Sequence, residues 1–276
     1  MTTQIGAETY KSYMRSPHRS VKHSTYFDTY DALFERYRGK DITFVEIGIL
    51  GGGSLFMWRD YFGPQARIIG VDLNPAAKKW EADGFEILIG SQSDVSFWED
   101  FSKKVGPIDI LLDDGGHTYV QQIITTECML DNIKDGGMLV VEDTHTSYMR
   151  GFGRKRYSFM NYVKLTADRL HKRFRRFKTT NPDERIWSVQ VFESIVAFHI
   201  NRNASKLKSV PTENNGYDDQ AEDFRIYDNA VYRANESLPK AMGFIRYLPF
   251  SKKLTRFFWK QITNSNSAKR SAKYFR

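Results

Sequence analysis

A single cysteine in 276 residues, Cys128, excludes a disulfide framework and a zinc site built on thiolates. A reducing, cytoplasmic setting is the default for such a chain. No segment approaches the roughly 18 uninterrupted apolar residues of a membrane span, and the first 17 residues lack the apolar stretch of a secretory signal. The chain is therefore expected to be neither secreted by that route nor membrane-spanning. Acidic residues are scarce in two places. Residues 150–178 carry 11 Lys and Arg against Asp168 alone, and residues 240–276 carry 10 against none. Because the net charge is only +8, the remainder nets −12, which describes an acidic body with two basic appendages. Internal repeats are lacking too. What is present is 41% hydrophobic residues, enough to bury a core, in a length that holds one α/β domain with extensions or two small domains.

Residues 43–75 organise the rest. Thr43 to Ile49 is a short apolar, β-branched run, the composition of a strand buried on both faces of a parallel sheet. Gly48, Gly51, Gly52 and Gly53 interrupt it, and Ser54 is placed to cap the helix that Leu55, Phe56, Trp58 and Tyr61 continue. Glycine suits a tight turn where a ligand must approach bare amides at a helix N-terminus. Arg67 to Asp72 reads as the next strand, with Asp72 at its carboxyl end, 20 residues after Gly52, where a carboxylate can accept the hydroxyls of an adenosine ribose. The dinucleotide pattern G-x-G-x-x-G fails because position 50 is Leu. The pattern present, Glu46-x-Gly48-x-x-Gly51-Gly52-x-Ser54, resembles the first motif of class I S-adenosylmethionine (SAM) methyltransferases. A glycine-rich turn with no ligand is the alternative.

Further along, a third strand over Phe85 to Ile89 ends in the polar turn Gly90-Ser91-Gln92-Ser93-Asp94. Gln92, Ser93 and Asp94 are candidate adenine contacts, or Ser93 or Asp94 simply caps the next helix. A fourth strand ends in Asp113-Asp114, and strand alternation points the two in opposite directions, so only one can face a given ligand. After a helix over residues 120–133, stopped by Asp135-Gly136-Gly137, a fifth strand delivers Glu142-Asp143-Thr144-His145 to the same edge. Carboxylates gathered there repel one another and call for positive charge. A hard divalent cation, Mg²⁺ first, meets the need, and helix capping with salt bridges to Arg150 and Arg154 is the alternative. Residues 24–38 read as a helix covering the domain, and Trp187 to Ile200 as an antiparallel strand pair closing the sheet. Residues 243–263 interleave Phe, Leu and Trp with Lys and Arg, which suits peripheral contact with the inner face of a membrane or a solvated face packed on the domain.

These segments, FVEIGILGGGSLFMWRDYF, IIGVDLNP, GSQSD, LLDDGGHTY and GGMLVVEDTHTSY, together resemble the macrocin and mycinamicin sugar O-methyltransferases, a metal-dependent class I SAM group that also takes in cephalosporin-hydroxylase-like proteins. The resemblance spans about residues 24–199. It implies an α/β, Rossmann-like seven-stranded SAM-methyltransferase sheet with helices on both faces. The expected domains are an N-terminal helical cover (1–41), the methyltransferase domain (42–201) and a basic helical C-terminal extension (202–276). Glu46, Gly48, Gly52, Ser54, Asp72 and Gln92 would lie near the cofactor, and Asp113, Glu142 and Asp143 would ligate Mg²⁺. The group methylated would be a hydroxyl of a saccharide or glycoconjugate, and the basic segments suggest an anionic or lipid-linked one. Where the family carries a His-Phe-Tyr triplet with a proposed general base, this chain has Gln190, Val191 and Phe192. Glutamine takes no proton, so either the metal alone lowers the pKa of the hydroxyl enough or another group deprotonates it, with His145, then His117, as the substitutes and Asp113 beside them. Rival readings are an RNA methyltransferase, for which the Asn/Asp-Pro-Pro-Tyr tetrapeptide is missing, a SAM-binding hydroxylase-like enzyme, and a non-catalytic glycan- or membrane-associated protein. Oligomeric state stays open, a homo-oligomer included.

Overall fold

The computed structural model describes residues 6–174, 183–217 and 271–275. It divides into two compact units, residues 1–210 and 211–276. The described residues of the second unit include one helical turn at residues 271–272. The basic run 243–263 and a helix expected over 230–240 lie outside the described residues. Among the described residues no helix is long and apolar enough to cross a membrane.

The first unit is built on one seven-stranded sheet. Its elements run α1 (Glu8–Arg15), α2 (Tyr26–Phe34), β1 (Thr43–Ile47), α3 (Gly53–Phe62), β2 (Arg67–Asp72), β3 (Glu86–Ile89), α4 (Val95–Val105), β4 (Ile108–Asp113), α5 (Tyr119–Met129), β5 (Ile133–Val141), α6 (Phe159–Lys172), β6 (Ile186–Val191), β7 (Val196–Ile200) and α7 (Arg202–Lys206). The strand order is β3-β2-β1-β4-β5-β7-β6. Strands β1 to β5 are parallel, and β7 is antiparallel to both β5 and β6, the closing pair expected from Trp187 to Ile200. The order reverses between β1 and β4, and in such a sheet the crevice at the carboxyl ends of those strands is where ligands bind.

Strand alternation sorts the core into two layers. Phe44, Ile110, Leu112, Met138 and Val140 face the aromatic layer of α2 and α3, where Tyr30, Phe34, Trp58 and Phe62 pack edge to face or stacked. Val45, Ile47, Leu111, Leu139 and Val141 face the opposite layer, with Trp98 and Phe101 of α4, Met129 of α5 and Val163 of α6. This division decides which polar residues meet at the strand ends.

The helix expected over residues 24–38 is present as α2 continued by a 3-10 turn to Tyr37, and α1 precedes it. One expectation is corrected. Asp135-Gly136-Gly137 does not stop α5, which ends at Met129, but lies within β5. There the register with β4 shifts, and Gly136 at φ 87° takes a conformation costly for side-chain-bearing residues.

Candidate active site

The turn after β1 is shaped by two contacts that exclude a side chain. Gly48 has φ 82°, and a Cβ there would lie 2.2 Å from the carbonyl oxygen of Asp114, so the turns after β1 and β4 pack backbone against backbone. Gly52, at φ 78°, holds the N-cap position of α3, and its Cβ would lie 2.3 Å from the Trp80 ring. Ser54 does not cap this helix. Its hydroxyl donates to Glu46 Oε2 at 2.7 Å, and the Trp58 indole donates to Glu46 Oε1 at 3.1 Å. A carboxylate buried in the aromatic layer takes the hydroxyl away from the helix end, because its need for donors is greater.

Asp72 stands where expected, at the end of β2. Its Oδ2 accepts from the Ile49 and Leu50 amides at 3.1 and 3.2 Å, and its Oδ1 accepts from the Asn74 amide at 2.8 Å. It therefore braces the glycine turn while facing a cavity of about 540 Å³. That volume suits a cofactor-sized ligand, and its walls come from Gly48, Asp72, Ser91, Gln92, Asp114 and His117 among others. Gln92 reaches the cavity, but its amide is committed to the β4 turn, donating to Asp113 Oδ1 at 2.9 Å and accepting from the Gly116 amide at 2.8 Å. Ser93 and Asp94 are not among the residues that line the cavity. The Asp94 side chain accepts from the Ser96 amide at 2.9 Å and caps α4, and Ser93 Oγ lies 2.9 Å from Ser91 Oγ. Of the two readings of this turn, the cap describes Asp94.

The carboxylates after β4 and β5 part according to alternation. Asp113 shares the face of Leu111 and points toward α5, where it meets Gln92 and the Gly115 amide, with Oδ2 buried and without a partner among the described residues. Burial pushes its carboxyl up to about 6, against the lowering effect of Gln92 and Gly115. Glu46, Asp114 and Glu142 take the other face and converge on Lys22. Lys22 Nζ lies 2.6 Å from Asp114 Oδ2, 3.2 Å from Glu142 Oε2 and 3.7 Å from Glu46 Oε1. Burial alone would lower the lysine, but Asp114 and Glu142 outweigh it and hold it charged, well above its usual range. Glu142, which also accepts from the Tyr30 hydroxyl at 2.5 Å, is raised by burial and by Asp114. The positive charge that the sequence calls for is thus an ammonium from the segment between α1 and α2.

Asp143, at φ 54°, turns toward a smaller cavity of about 150 Å³ that Lys22, His23, Tyr26, Asp114 and Glu142 also line. It accepts from the Tyr26 hydroxyl, and His117 Nε2 lies 3.4 Å from its Oδ2. Among the described residues, two groups bring ligand atoms within 4.8 Å of one another: His23, Asp143 and His145, and Asp114, His117 and Asp143. The expected set of Asp113, Glu142 and Asp143 is not assembled. Asp114 stands in the place given to Asp113, because the even-numbered positions of β4 face α2. His117 lines the larger cavity with its Nδ1 buried and unpartnered, whereas His145 lines neither cavity. Gln190 lies on β6, 2.9 Å from His199 Nε2, and lines neither cavity.

Sequence reasoning missed Lys22, Tyr26 and Tyr30. Only the parity of Ile110, Leu112 and Asp114 was a usable signal, and it pointed to Asp114. Lys22 lies 92 residues from Asp114 in a polar stretch with no motif.

Comparison with known proteins points to the same fold. A family model described as a methyltransferase domain matches residues 45–144. The 8-demethyl-8-(2-methoxy-alpha-L-rhamnosyl)-tetracenomycin-C 3'-O-methyltransferase of Streptomyces olivaceus is 32% identical over 192 residues, 65% of this chain and 47% of that protein. The mycinamicin VI 2''-O-methyltransferase of Micromonospora griseorubida is 34% identical over 133 residues, 45% of this chain and 32% of that protein. The chain spans less than half the length of the curated relatives it matches. Among solved structures, the MycE methyltransferase of the mycinamycin biosynthetic pathway, in complex with Mg and S-adenosylhomocysteine (SAH), superposes with TM-score 0.64 at 25% identity over 75% of this chain and 56% of that one. With the strand order, the glycine turn, Asp72 and the two carboxylate turns in place, the chain carries a methyltransferase domain over residues 45–144 and is similar to the tetracenomycin and mycinamicin sugar O-methyltransferases.

Proposed function

We propose that the chain transfers the methyl group of SAM to a hydroxyl of a saccharide or glycoconjugate, assisted by a divalent cation, Mg²⁺ first. One observation carries this reading: the glycine turn and Asp72 line a cofactor-sized cavity whose other wall, Asp114 and His117, adjoins the carboxylate-lined smaller cavity. A relative of known structure holds Mg, SAH and mycinamycin VI together.

The residues present fit both groups. Asp72 has about one acceptor site left on Oδ1 beside its three amide contacts, enough for one ribose hydroxyl, and Leu50 and Val71 give the cavity apolar wall. Asp114 and Asp143 bring oxygen donors, with His117, within 4.8 Å of one another, Glu142 adds a further carboxylate to the wall of the same smaller cavity, and Lys22 Nζ already stands against Asp114 and Glu142 as a positive stand-in. When bound, SAM supplies an electrophilic methyl group and the cation favours the alkoxide of the acceptor.

The chain's own part is positioning. Tyr26 and Tyr30 hold Asp143 and Glu142 in orientation, and alignment of acceptor oxygen and methyl carbon is the larger share of the catalysis. His117 is the side chain to receive the hydroxyl proton, since it lines the cofactor cavity with its Nε2 3.4 Å from Asp143 Oδ2. Calorimetric titration with SAM and SAH is the first test. Micromolar binding supports the reading, and absence of binding overturns it. Methyl transfer from labelled SAM to glycosylated acceptors then identifies the substrate, and His117→Asn, which tolerates the φ of 57°, should abolish transfer while keeping SAH binding.

A further inference from the structure

The carboxylates that would receive a divalent cation already hold a cation belonging to the chain. The Lys22 side chain is 2% exposed, and fully buried lysines persist only when well paired. Its position follows from three neighbouring strands. Glu46 on β1, Asp114 after β4 and Glu142 after β5 fall on the same sheet face, and the ammonium sits where they meet.

The segment that carries Lys22 is fastened along its length. Ser16 Oγ donates to the Gly53 carbonyl at 2.8 Å, and the His18 ring packs 4.6 Å from Trp80 and 4.8 Å from Phe56. The Tyr13 hydroxyl donates to the Ser20 carbonyl at 2.9 Å. A Cβ on Gly53 would lie 2.3 Å from the His18 carbonyl oxygen, so residues 16–23 lie as a strap directly on the glycine turn. Val21, next to Lys22, lines both cavities. The strap therefore forms part of the cofactor wall, and its far end is pinned by the ammonium.

A cation bound by Asp114 and Glu142 must share their oxygens with Lys22, and two positive charges at such separation repel strongly in a buried site. We infer that the Lys22 ammonium and a divalent cation are alternative occupants of the Asp114–Glu142 pair, so that Lys22 positions the strap in the metal-free protein and is displaced when metal binds. This rests on the divalent-cation part of the proposed function. Lys22 acts through the carboxylates and the strap and touches no reacting atom, so it is a positioning residue.

The test is Mn²⁺ binding to the wild-type chain, Lys22→Met and Lys22→Arg, read from the electron paramagnetic resonance signal of free Mn²⁺. Lys22→Met should bind Mn²⁺ at least about tenfold more tightly, because a competing unit charge is gone, and Lys22→Arg should bind no more tightly than wild type. In the wild type, saturating Mn²⁺ should speed hydrogen exchange at the amides of residues 16–23. Equal or weaker Mn²⁺ affinity in a folded Lys22→Met overturns the inference, as does unchanged strap exchange on metal saturation. The exchange measurement needs no substitution and decides the matter if Lys22→Met does not fold. Absence of Mn²⁺ binding in all three proteins overturns the competition and the cation reading together, and retained SAH binding in that case leaves the methyl-transfer reading standing.

Discussion

Asp113→Asn separates a carboxylate that serves the fold from one that serves the site. The carboxyl is 1% exposed, Oδ1 accepts from Gln92 Nε2 at 2.9 Å and from the Gly115 amide at 3.2 Å, and Oδ2 has no partner among the described residues. Asparagine keeps the shape and an Oδ1 that accepts both bonds, so it removes the charge while the geometry stays. Burial raises this carboxyl from 3.8 to about 6 in the folded chain, so between those values the folded state binds more protons than the unfolded state. Stability from this group is therefore greatest at low pH and declines as pH rises through that window. The whole decline amounts to about 3 kcal/mol once the window is passed, and about 1.4 kcal/mol of it falls between pH 5 and pH 8. The variant carries no such titration, although its unpartnered amide costs a fixed amount of about 1–3 kcal/mol at every pH. Urea unfolding of both proteins in EDTA, at several pH values from 5 to 8, measures the difference. The stability of Asp113→Asn minus that of the wild type should rise by about 1.4 kcal/mol across the range, whatever its starting value. A flat or falling difference would refute the burial argument and reopen Asp113 as a group facing the cavity.

Other perturbations test neighbouring links. Gly52→Ala should cost about 2–5 kcal/mol, from the strained φ of 78° and the collision with Trp80, whereas Gly51→Ala, with the Arg19 carbonyl at 3.3 Å as its nearest neighbour, should stay within about 1 kcal/mol of the wild type in thermal unfolding. Asp72→Asn should weaken SAH binding by about 10- to 100-fold in calorimetry, and unchanged affinity would remove Asp72 from the ribose role. Arg202→Ala should lose about 2 kcal/mol in urea unfolding with SAH affinity unaltered. The guanidinium bonds the Leu130, Asp131 and Ile133 carbonyls at 2.9–3.0 Å, far from the glycine turn in the chain.

The sequence by itself determined a great deal of this protein. The β-branched runs, the glycine turn, Asp72 at a strand end and the Glu142-Asp143 turn were legible because they are local, written in period-two apolarity and in residues with special backbone freedom. They placed five parallel strands, the antiparallel closing pair and the ligand edge of the sheet. Spacing read Ser54 as a cap and Asp94 as a cap or an adenine contact, and only their neighbours decided: Glu46 took the Ser54 hydroxyl from the helix end, and the start of α4 took Asp94. The composition of the carboxylate cluster was decided by tertiary structure alone. Alternation along β4 states that Asp113 and Asp114 diverge, but which layer each enters depends on what packs on either face, and here α2 and α3 claim the even positions. The cation that answers those carboxylates comes from Lys22, on a strap with no periodicity. A buried charge is compensated by whatever the fold brings within about 4 Å, however far apart the two lie in the chain.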